Sequence, residues 1–240
     1  MKSFSVTDIG KMRTVNQDYL YCSETATGKF PNLFIVADGM GGHRAGDYAS
    51  RLCVNKIIEA VENTSMVTPI SIFDEAIEYA NRAVYGEAAD NEEYEGMGTT
   101  LVGAVLYDKT LYVANIGDSR LYVLSDTLRQ ITEDHSLVEE MVKNGEIRKE
   151  EARSHPNKNI ITRALGTSET VVADYFELEL QEKDIILMCS DGLTNMVEDD
   201  EIAHILKEYQ EDLKGAAEKL VACANEYGGK DNMAIVLVQI

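Results

Sequence analysis

Short apolar runs that adjoin an aspartate recur along this chain. Residues 33–37 are all apolar, and Asp38 and Gly39 follow them directly. An apolar run of this length bounded by glycine is typical of a buried strand, and a carboxylate at its end needs a partner or a cation. The same combination occurs at three further places, Asp118, Asp191 and Asp231. Taken singly, Asp38-Gly39 also fits an ordinary hairpin turn, so its meaning depends on this recurrence.

The rest of the hydrophobic pattern predicts an α+β fold. Apolar positions at helical spacing predict helices over residues 45–61, 73–90, 137–143, 202–209 and 213–224. Strands are predicted over residues 2–7, 18–22, 33–37, 99–106, 111–116, 121–124, 128–131, 171–178, 184–190 and 233–240. The four strands between residues 99 and 131 are closely spaced, which favours antiparallel hairpins, including one with its turn at residues 117–119. Helix pairs among antiparallel strands indicate a two-sheet sandwich with helices outside, in one domain over residues 1–240.

Composition narrows the class of protein. The net charge of −20 and the pI near 4.5 argue against nucleic-acid binding, which needs a basic surface. The four cysteines have no paired spacing and lie mostly in apolar runs, which is typical of reduced thiols in the cytosol. No apolar run approaches the ~18–20 residues of a membrane span, and no apolar secretion signal is visible at the N-terminus. We expect a cytoplasmic monomer that binds neither nucleic acid nor membrane.

The aspartates beside the apolar runs suggest a metal site. Strands of one sheet system can bring their ends together, so carboxylates far apart in the sequence can converge. Converging carboxylates repel one another strongly unless a divalent cation neutralises them. Oxygen ligands with little histidine favour Mg²⁺ or Mn²⁺ over Zn²⁺. Ca²⁺ also accepts such ligands, although no stretch of the chain matches an EF-hand loop.

Three further residues near these aspartates are open to more than one interpretation. Arg13 lies in a loop between two predicted strands, where it could clamp a phosphate or be an ordinary surface arginine. His43 follows two glycines and could be an acid, a base or a structural residue. Ser190 has no evident histidine partner that would make it a nucleophile. The thiolate loop of cysteine phosphatases, the P-loop, the kinase motif set and the G-x-S-x-G elbow are all missing.

Six short motifs occur in an order that resembles a known family. They are Arg13-x-x-Asn16-Gln17-Asp18, Asp38-Gly39-Met40-Gly41-Gly42-His43, Gly98-Thr99-Thr100, Gly117-Asp118-Ser119-Arg120, Ser190-Asp191-Gly192 and Asp231-Asn232. Together they resemble the metal-dependent protein serine/threonine phosphatases of type 2C, specifically the compact bacterial branch. The resemblance spans nearly the whole chain. It implies a two-sheet β-sandwich flanked by helix pairs, in agreement with the predicted elements.

The resemblance also implies a set of metal ligands. Asp38 would bridge two metal ions, and the backbone oxygen of Gly39 would hold one of them. Asp191 and Asp231 would hold the other ion. Asp118, together with Asp191, would form the site of a third, more weakly bound ion. The two tightly bound ions would be Mn²⁺ or Mg²⁺.

The remaining motif residues would act on the substrate or on water. The resemblance implies that Arg13 binds the phosphate and that Asp18 orients a metal-bound water. Residues 138–163 fall where the family has a variable flap beside the active site. Animal members carry a histidine, the proposed proton donor to the leaving group, at the position of Met40. Because methionine cannot donate a proton, His43 or a metal-bound water is left as the general acid.

The function implied by the resemblance is hydrolysis of phosphoserine and phosphothreonine on cytosolic proteins. The metal ions would lower the pKa of a bridging water, which would attack phosphorus without forming a phosphoenzyme. The substrates would include a serine/threonine kinase and its targets, whose signalling the enzyme would oppose. One alternative is another two-metal phosphoesterase such as a nuclease, which the net charge of −20 disfavours. Another is an inactive phosphatase-like adaptor, which would usually lack one of the metal carboxylates.

Overall fold

The computed structural model describes residues 1–42 and 45–240. Within these residues the strands are β1 (Lys2–Asp8), β2 (Asp18–Ser23), β3 (Leu33–Met40), β4 (Gly98–Thr99), β5 (Leu101–Tyr107), β6 (Thr110–Ile116), β7 (Arg120–Leu124), β8 (Leu128–Gln130), β9 (Asp174–Glu179), β10 (Ile185–Cys189) and β11 (Met233–Gln239). The α-helices are α1 (Ala45–Asn63), α2 (Pro69–Asp90), α3 (Leu137–Lys143), α4 (Lys149–Ala152), α5 (Asp191–Thr194), α6 (Asp199–Glu208) and α7 (Leu213–Glu226). None of these helices combines the length and the apolarity needed to cross a bilayer.

The strands form two antiparallel sheets. The first sheet has the order β1-β11-β10-β7-β8, and the second has the order β2-β3-β5-β6-β9, with β4 paired to β3. In the register of the second sheet, Asp18 of β2 lies directly opposite Asp38 of β3. In the first sheet, Cys189 at the end of β10 lies opposite Ile235 near the start of β11.

Alternating side chains of the strands fill three layers of core. In β3, Leu33 and Ile35 belong to the core that the second sheet forms with α1 and α2. Phe34 and Val36, on the other face of β3, belong to the core between the two sheets. The first sheet forms the third core with α6 and α7, where Leu237 is buried. Because both faces of these strands are covered, their apolar residues run without interruption. The predicted α+β sandwich with outer helix pairs is confirmed.

The predicted hairpin between residues 111–116 and 121–124 is wrong. The strands β6 and β7 lie in different sheets, where β6 pairs with β5 and β9, and β7 pairs with β10 and β8. Both edges of each strand are therefore taken by other partners. Gly117 has a φ of 101°, a conformation open to glycine, at the point where the chain passes from one sheet to the other. Asp118 lies in this crossover and not in a hairpin turn.

Two other features near the site differ from the expectations or extend them. The strand β3 continues through Asp38 to Met40, because Gly39 and Met40 pair with β4. The hairpin interpretation of Asp38-Gly39 is therefore excluded. The predicted helix Leu137–Lys143 is present as α3, at the start of residues 138–163, a segment that we call the flap. An isolated bridge between Ser136 and Ile161 closes the base of this flap.

Candidate active site

Strand ends from both sheets bring five aspartates together. In the second sheet, Asp18 begins β2 and faces Asp38 in β3. In the first sheet, Asp118 precedes β7, Asp191 follows β10 and Asp231 precedes β11. We call these five residues the acidic cluster. Asp38 interacts electrostatically with each of the other four members.

Burial and mutual repulsion raise the pKa values of four cluster members. Loss of solvation is the largest cause for each of them, and repulsion between carboxylates adds to it. The pKa of Asp18 rises to about 7 and that of Asp191 to about 6. The pKa values of Asp38 and Asp118 are raised well above their usual range. The cluster therefore retains protons near neutral pH that a bound cation would displace.

The Gly98-Thr99-Thr100 motif fixes the backbone of Asp38. The Asp38 N–H donates to Thr100 Oγ1 at 2.9 Å. Thr99 Oγ1 and the Thr100 N–H both donate to the Asp38 carbonyl oxygen, each at 2.9 Å. Thr100 Oγ1 also lies 2.7 Å from the hydroxyl of Ser119, the residue after Asp118. Two threonines thus connect the backbone of Asp38 to the crossover that carries Asp118.

Gly39 lies where three backbone segments approach one another. Its N–H donates to the Gln17 carbonyl oxygen at 3.0 Å. A Cβ in place of its hydrogen would overlap the carbonyl group of Gly46 in the first turn of α1. The Gly39 carbonyl oxygen faces the same turn, since a Cβ built on Gly46 would lie 2.7 Å from it. Only glycine fits this close approach.

Ser190 orients one oxygen of Asp18. The Ser190 hydroxyl donates to Asp18 Oδ2 at 2.6 Å and accepts from the Ala234 N–H at 2.9 Å. Because the backbone amide donates to Ser190 Oγ, the hydroxyl proton is directed to the carboxylate. Asp18 Oδ1 is buried and has no hydrogen-bond partner among residues 1–42 and 45–240. A buried oxygen of this kind is available to accept a hydrogen bond or to bind a cation.

A short helix holds Asp191, and the flap contacts that helix. Asn195 Nδ2 donates to Asp191 Oδ2 at 2.8 Å. Lys158 Nζ, from the flap, donates to Asn195 Oδ1 at 2.9 Å. Arg153, also from the flap, donates to the Thr194 carbonyl oxygen at 2.7 Å. The flap is therefore attached to the helix that carries one member of the acidic cluster.

Arg13 reaches the acidic cluster from the loop after β1. Its Nη2 lies 2.7 Å from Asp231 Oδ2, and its side chain is 46% exposed. The loop is anchored by the Lys11 and Met12 N–H groups, which donate to the Gly229 carbonyl oxygen at 2.7 and 3.2 Å. An exposed ion pair of this kind contributes only about 0–1 kcal/mol. A phosphate or a cation could therefore separate Arg13 from Asp231 at little cost.

A cleft of about 1010 Å³ extends from Asp118 and Asp191 to the flap. Its lining includes Arg120 and Asp134, which form an ion pair with a shortest distance of 2.7 Å. The flap contributes Lys149 and other charged residues. This volume is at the upper end for small-molecule pockets.

The acidic cluster fits a hard divalent cation in its donor chemistry. Its side-chain donors are carboxylate oxygens, which Mg²⁺ and Mn²⁺ prefer. Across residues 1–42 and 45–240, no three His, Cys, Asp or Glu side chains are already arranged to hold a metal ion. The Asp231 carboxylate is instead held by Arg13. A cation would readily relieve both the raised pKa values and the weak surface ion pair of Arg13 with Asp231, so the acidic cluster can accept one.

The structure brings most of the residues that were singled out in the sequence together. Arg13, Gly39 and the five aspartates of the acidic cluster lie together at one end of the sheets. A further aspartate, Asp8 at the end of β1, has other partners: its Oδ1 accepts from the Gly10 N–H at 2.8 Å and from Asn225 Nδ2 at 3.0 Å. His43 lies outside the described residues.

Sequence reasoning missed two side chains that support the acidic cluster. The sequence offers Ser190 only as a nucleophile without a histidine partner, whereas in the structure its hydroxyl donates to Asp18. Asn195 was not singled out at all. Its position four residues after Asp191 could have indicated contact across one helical turn.

Two antiparallel sheets bring half-buried aspartates together beside an exposed arginine, as expected for a metal-dependent phosphatase. A family model described as protein phosphatase 2C matches residues 11–237. The chain therefore belongs to the protein phosphatase 2C family. It is a bacterial serine/threonine protein phosphatase, a metal-dependent hydrolase of phosphoproteins.

Individual relatives are similar over almost their whole length. The serine/threonine phosphatase Stp of Listeria innocua is 43% identical over 243 residues, which cover 97% of this chain and 93% of that protein. The S. agalactiae serine/threonine phosphatase has a TM-score of 0.91 at 37% identity, covering 100% of this chain and 99% of that one. The catalytic domain of the phosphatase PstP in complex with two manganese ions has a TM-score of 0.86 at 32% identity, covering 99% and 97%.

Proposed function

We propose that this protein hydrolyses phosphoserine and phosphothreonine in cytoplasmic proteins at a binuclear Mn²⁺ or Mg²⁺ centre in the acidic cluster. The observation that carries the proposal is the convergence of five aspartates, four with raised pKa values, beside one exposed arginine. The PstP structure with two manganese ions supports a pair of ions. The four cysteines, all free thiols, agree with a reducing compartment. A single catalytic domain over residues 1–240 would contain the whole site.

The proposed ligands are the ones that the motifs suggested. Asp38 would contact both ions, with the Gly39 carbonyl oxygen on one and Asp191 and Asp231 on the other. Asp118, which interacts with Asp191, would hold a weaker third ion. Bound ions would supply the positive charge that stabilises the attack of water on phosphorus.

The other residues would act through their own contacts. Arg13 is the exposed cation beside the acidic cluster, and its guanidinium can bind two phosphate oxygens at once. Asp18 Oδ1 is buried and unpaired within residues 1–42 and 45–240, so it can accept a hydrogen bond from the attacking water. Ser190 holds the opposite oxygen of Asp18 and thereby sets its orientation. The cleft beside Asp118 would receive the peptide around the phosphorylated residue.

The biological role follows from the chemistry. Removal of phosphate from serine and threonine reverses the product of a serine/threonine kinase. We therefore propose that the enzyme opposes such a kinase and acts on the kinase itself and on its targets. Similarity to the Listeria innocua and S. agalactiae serine/threonine phosphatases supports this substrate class.

Substitution of Asp38 tests the proposed binuclear centre. Asp38→Ala should abolish turnover of a phosphothreonine peptide and greatly weaken Mn²⁺ binding in calorimetry, because both ions would lose a shared ligand. Asp126→Ala, at an exposed position in the β7–β8 turn, is the control and should match the parent. If Asp38→Ala binds Mn²⁺ as tightly as the parent and still turns over, Asp38 is not a shared ligand.

Substitution of Asp118 tests the proposed third ion. Asp118→Ala should keep the fold and the tight pair of ions while turnover falls, and the rate should lose its weak, high-concentration dependence on Mn²⁺. A purely structural role in the crossover would instead lower the melting temperature and leave the Mn²⁺ dependence unchanged. Melting curves and Mn²⁺ titrations of the rate separate these outcomes.

A further inference from the structure

His135 is a buried histidine that holds the residue before Asp118. Its ring Nδ1 accepts a hydrogen bond from the Gly117 N–H at 3.0 Å, and its backbone N–H donates to the Gly117 carbonyl oxygen at 2.9 Å. Both polar backbone groups of Gly117 are thus bound by one residue. A Cβ on Gly117 would lie 2.6 Å from Thr100 Cγ2, so the crossover is also tightly enclosed on that side.

The contacts of the His135 ring determine its tautomer. Because Nδ1 accepts from a backbone amide, the proton of the neutral ring is on Nε2. Nε2 lies 3.1 Å from Asp174 Oδ2 and donates to it. Arg163 Nη1 donates to Asp174 Oδ1 at 2.7 Å and lies 3.1 Å from His135 Nε2. Since Arg163 Nη1 and His135 Nε2 are both donors, Asp174 is their shared acceptor, and it fixes the orientation of the ring.

The same histidine is part of the base of the flap. Its carbonyl oxygen accepts from the Thr162 N–H at 2.8 Å. The next residue, Ser136, forms the bridge with Ile161 that closes the flap. Arg163 belongs to the end of the flap and shares Asp174 with the ring. His135 therefore contacts both the crossover before Asp118 and the two ends of the flap.

We propose that His135 is a positioning residue, whose ring in the Nε2–H tautomer holds Gly117 so that Asp118 faces the cleft, and that it couples this position to the base of the flap. Asp118 lines the cleft and interacts with Asp191 there. The inference rests on the proposed function, in which Asp118 holds the weaker third ion. Partners behind a metal ligand commonly change metal affinity about 10- to 100-fold when they are substituted.

Two conservative variants separate the two ring nitrogens. Asn carries its carbonyl oxygen one bond beyond Cγ, as His carries Nδ1, so His135→Asn can still accept from the Gly117 N–H. Gln carries its amide one bond further, near the position of Nε2, so His135→Gln can reach Asp174 but leaves the Gly117 N–H without its acceptor. The control is His204→Gln on α6, where the histidine side chain is 79% exposed. The measurements are amide exchange in the metal-free chain, Mn²⁺ calorimetry and the Mn²⁺ dependence of turnover.

The expected result is a contrast between the two variants. In His135→Gln, the Gly117 amide should exchange about five- to tenfold faster, and the weaker Mn²⁺ site should lose about tenfold or more in affinity while the tight pair is retained. His135→Asn and His204→Gln should stay close to the parent in both measurements.

Several results would overturn the inference. Unchanged Gly117 exchange in His135→Gln, or faster exchange with an unchanged weaker Mn²⁺ site, would overturn the positioning role alone. Equal losses in His135→Asn and His135→Gln would show that ring volume matters and not the acceptor. A parent chain without a weaker Mn²⁺ site would overturn the proposed third ion and this role together. A parent chain without Mn²⁺-dependent turnover would overturn the proposed function. The exchange measurement on the metal-free chain would still test whether His135 holds Gly117.

Discussion

Ser190→Ala removes a buried hydroxyl that has two hydrogen-bond partners. The strength of one of these hydrogen bonds depends on pH, and that of the other does not. The hydroxyl donates to Asp18 Oδ2 at 2.6 Å and accepts from the Ala234 N–H at 2.9 Å. Loss of the acceptor for the Ala234 amide lowers the free energy of unfolding at every pH. Loss of the donor to Asp18 lowers it most where Asp18 is ionised. The difference between two pH values therefore isolates the contact with Asp18.

The magnitude follows from the strength of a hydrogen bond to a charged group. Such a bond contributes about 1.5–3 kcal/mol, which corresponds to about 1–2 pKa units. Burial raises the pKa of Asp18 to about 7 although the Ser190 bond lowers it, so alanine should raise this pKa further. A carboxyl group whose pKa is higher in the folded than in the unfolded chain stabilises the fold at low pH. This contribution to the free energy of unfolding is lost as pH rises through the pKa of the folded state. The metal-free variant should therefore lose an additional ~1.5–3 kcal/mol relative to the parent between about pH 6 and pH 9.

Thermal unfolding of the metal-free chains measures this difference. For a chain of this size, the additional loss corresponds to a decrease of about 3–12 °C in melting temperature at the higher pH. Ser168→Ala is the control, because that exposed hydroxyl donates to the Thr170 carbonyl oxygen at 2.8 Å, away from the acidic cluster. If Ser190→Ala lowers the melting temperature equally at both pH values, the hydroxyl does not stabilise the Asp18 carboxylate and the reasoning is refuted.

Three further predictions concern the phosphate contact, the backbone and the protons of the site. Arg13→Ala should raise the Michaelis constant for a phosphothreonine peptide about tenfold while Mn²⁺ affinity is retained, because a bidentate phosphate contact is lost. Parent values of both the Michaelis constant and turnover would contradict this. Gly39→Ala should lower the melting temperature by about 2–12 °C, since its Cβ would overlap the Gly46 carbonyl, whereas Gly42→Ala, with no atom within 4 Å of its Cβ, should change it little. Equal melting temperatures of the two variants would exclude the overlap. Mn²⁺ binding should release more protons at about pH 6 than at about pH 8.5, because the raised pKa values keep the acidic cluster partly protonated at the lower pH. Calorimetry in two buffers of different ionisation enthalpy gives the number, and equal release at both pH values would argue against the raised pKa values.

Patterns within single elements could be predicted from the sequence. The run at residues 33–37 became a strand buried on both faces, and such strands have no polar positions to interrupt the run. The helix Leu137–Lys143 begins after Ser136, whose side chain accepts from the Glu139 N–H as an N-cap. The aspartates could be placed at the ends of the apolar runs, because a charge is not tolerated within a run that is buried on both faces.

Relations between distant elements could not be predicted in the same way. Close spacing suggested that β6 and β7 pair, but the conformation of Gly117 takes the chain into the other sheet. Ser190 contacts Asp18 from 172 positions away, and Arg13 contacts Asp231 from 218 positions away. Such contacts depend on the sheet and register of each strand, which local hydrophobic patterns do not contain.

Release of phosphate from a phosphothreonine peptide, measured with Mn²⁺ and again with a chelator, tests the central claim most directly. The account predicts turnover with Mn²⁺, loss of turnover with chelator, and recovery when Mn²⁺ is added in excess. Folding of the chain should be verified under each condition, so that lost activity reflects the site and not unfolding. Phosphate release that continues unchanged in the presence of chelator, or no release at any Mn²⁺ or Mg²⁺ concentration, would contradict the account.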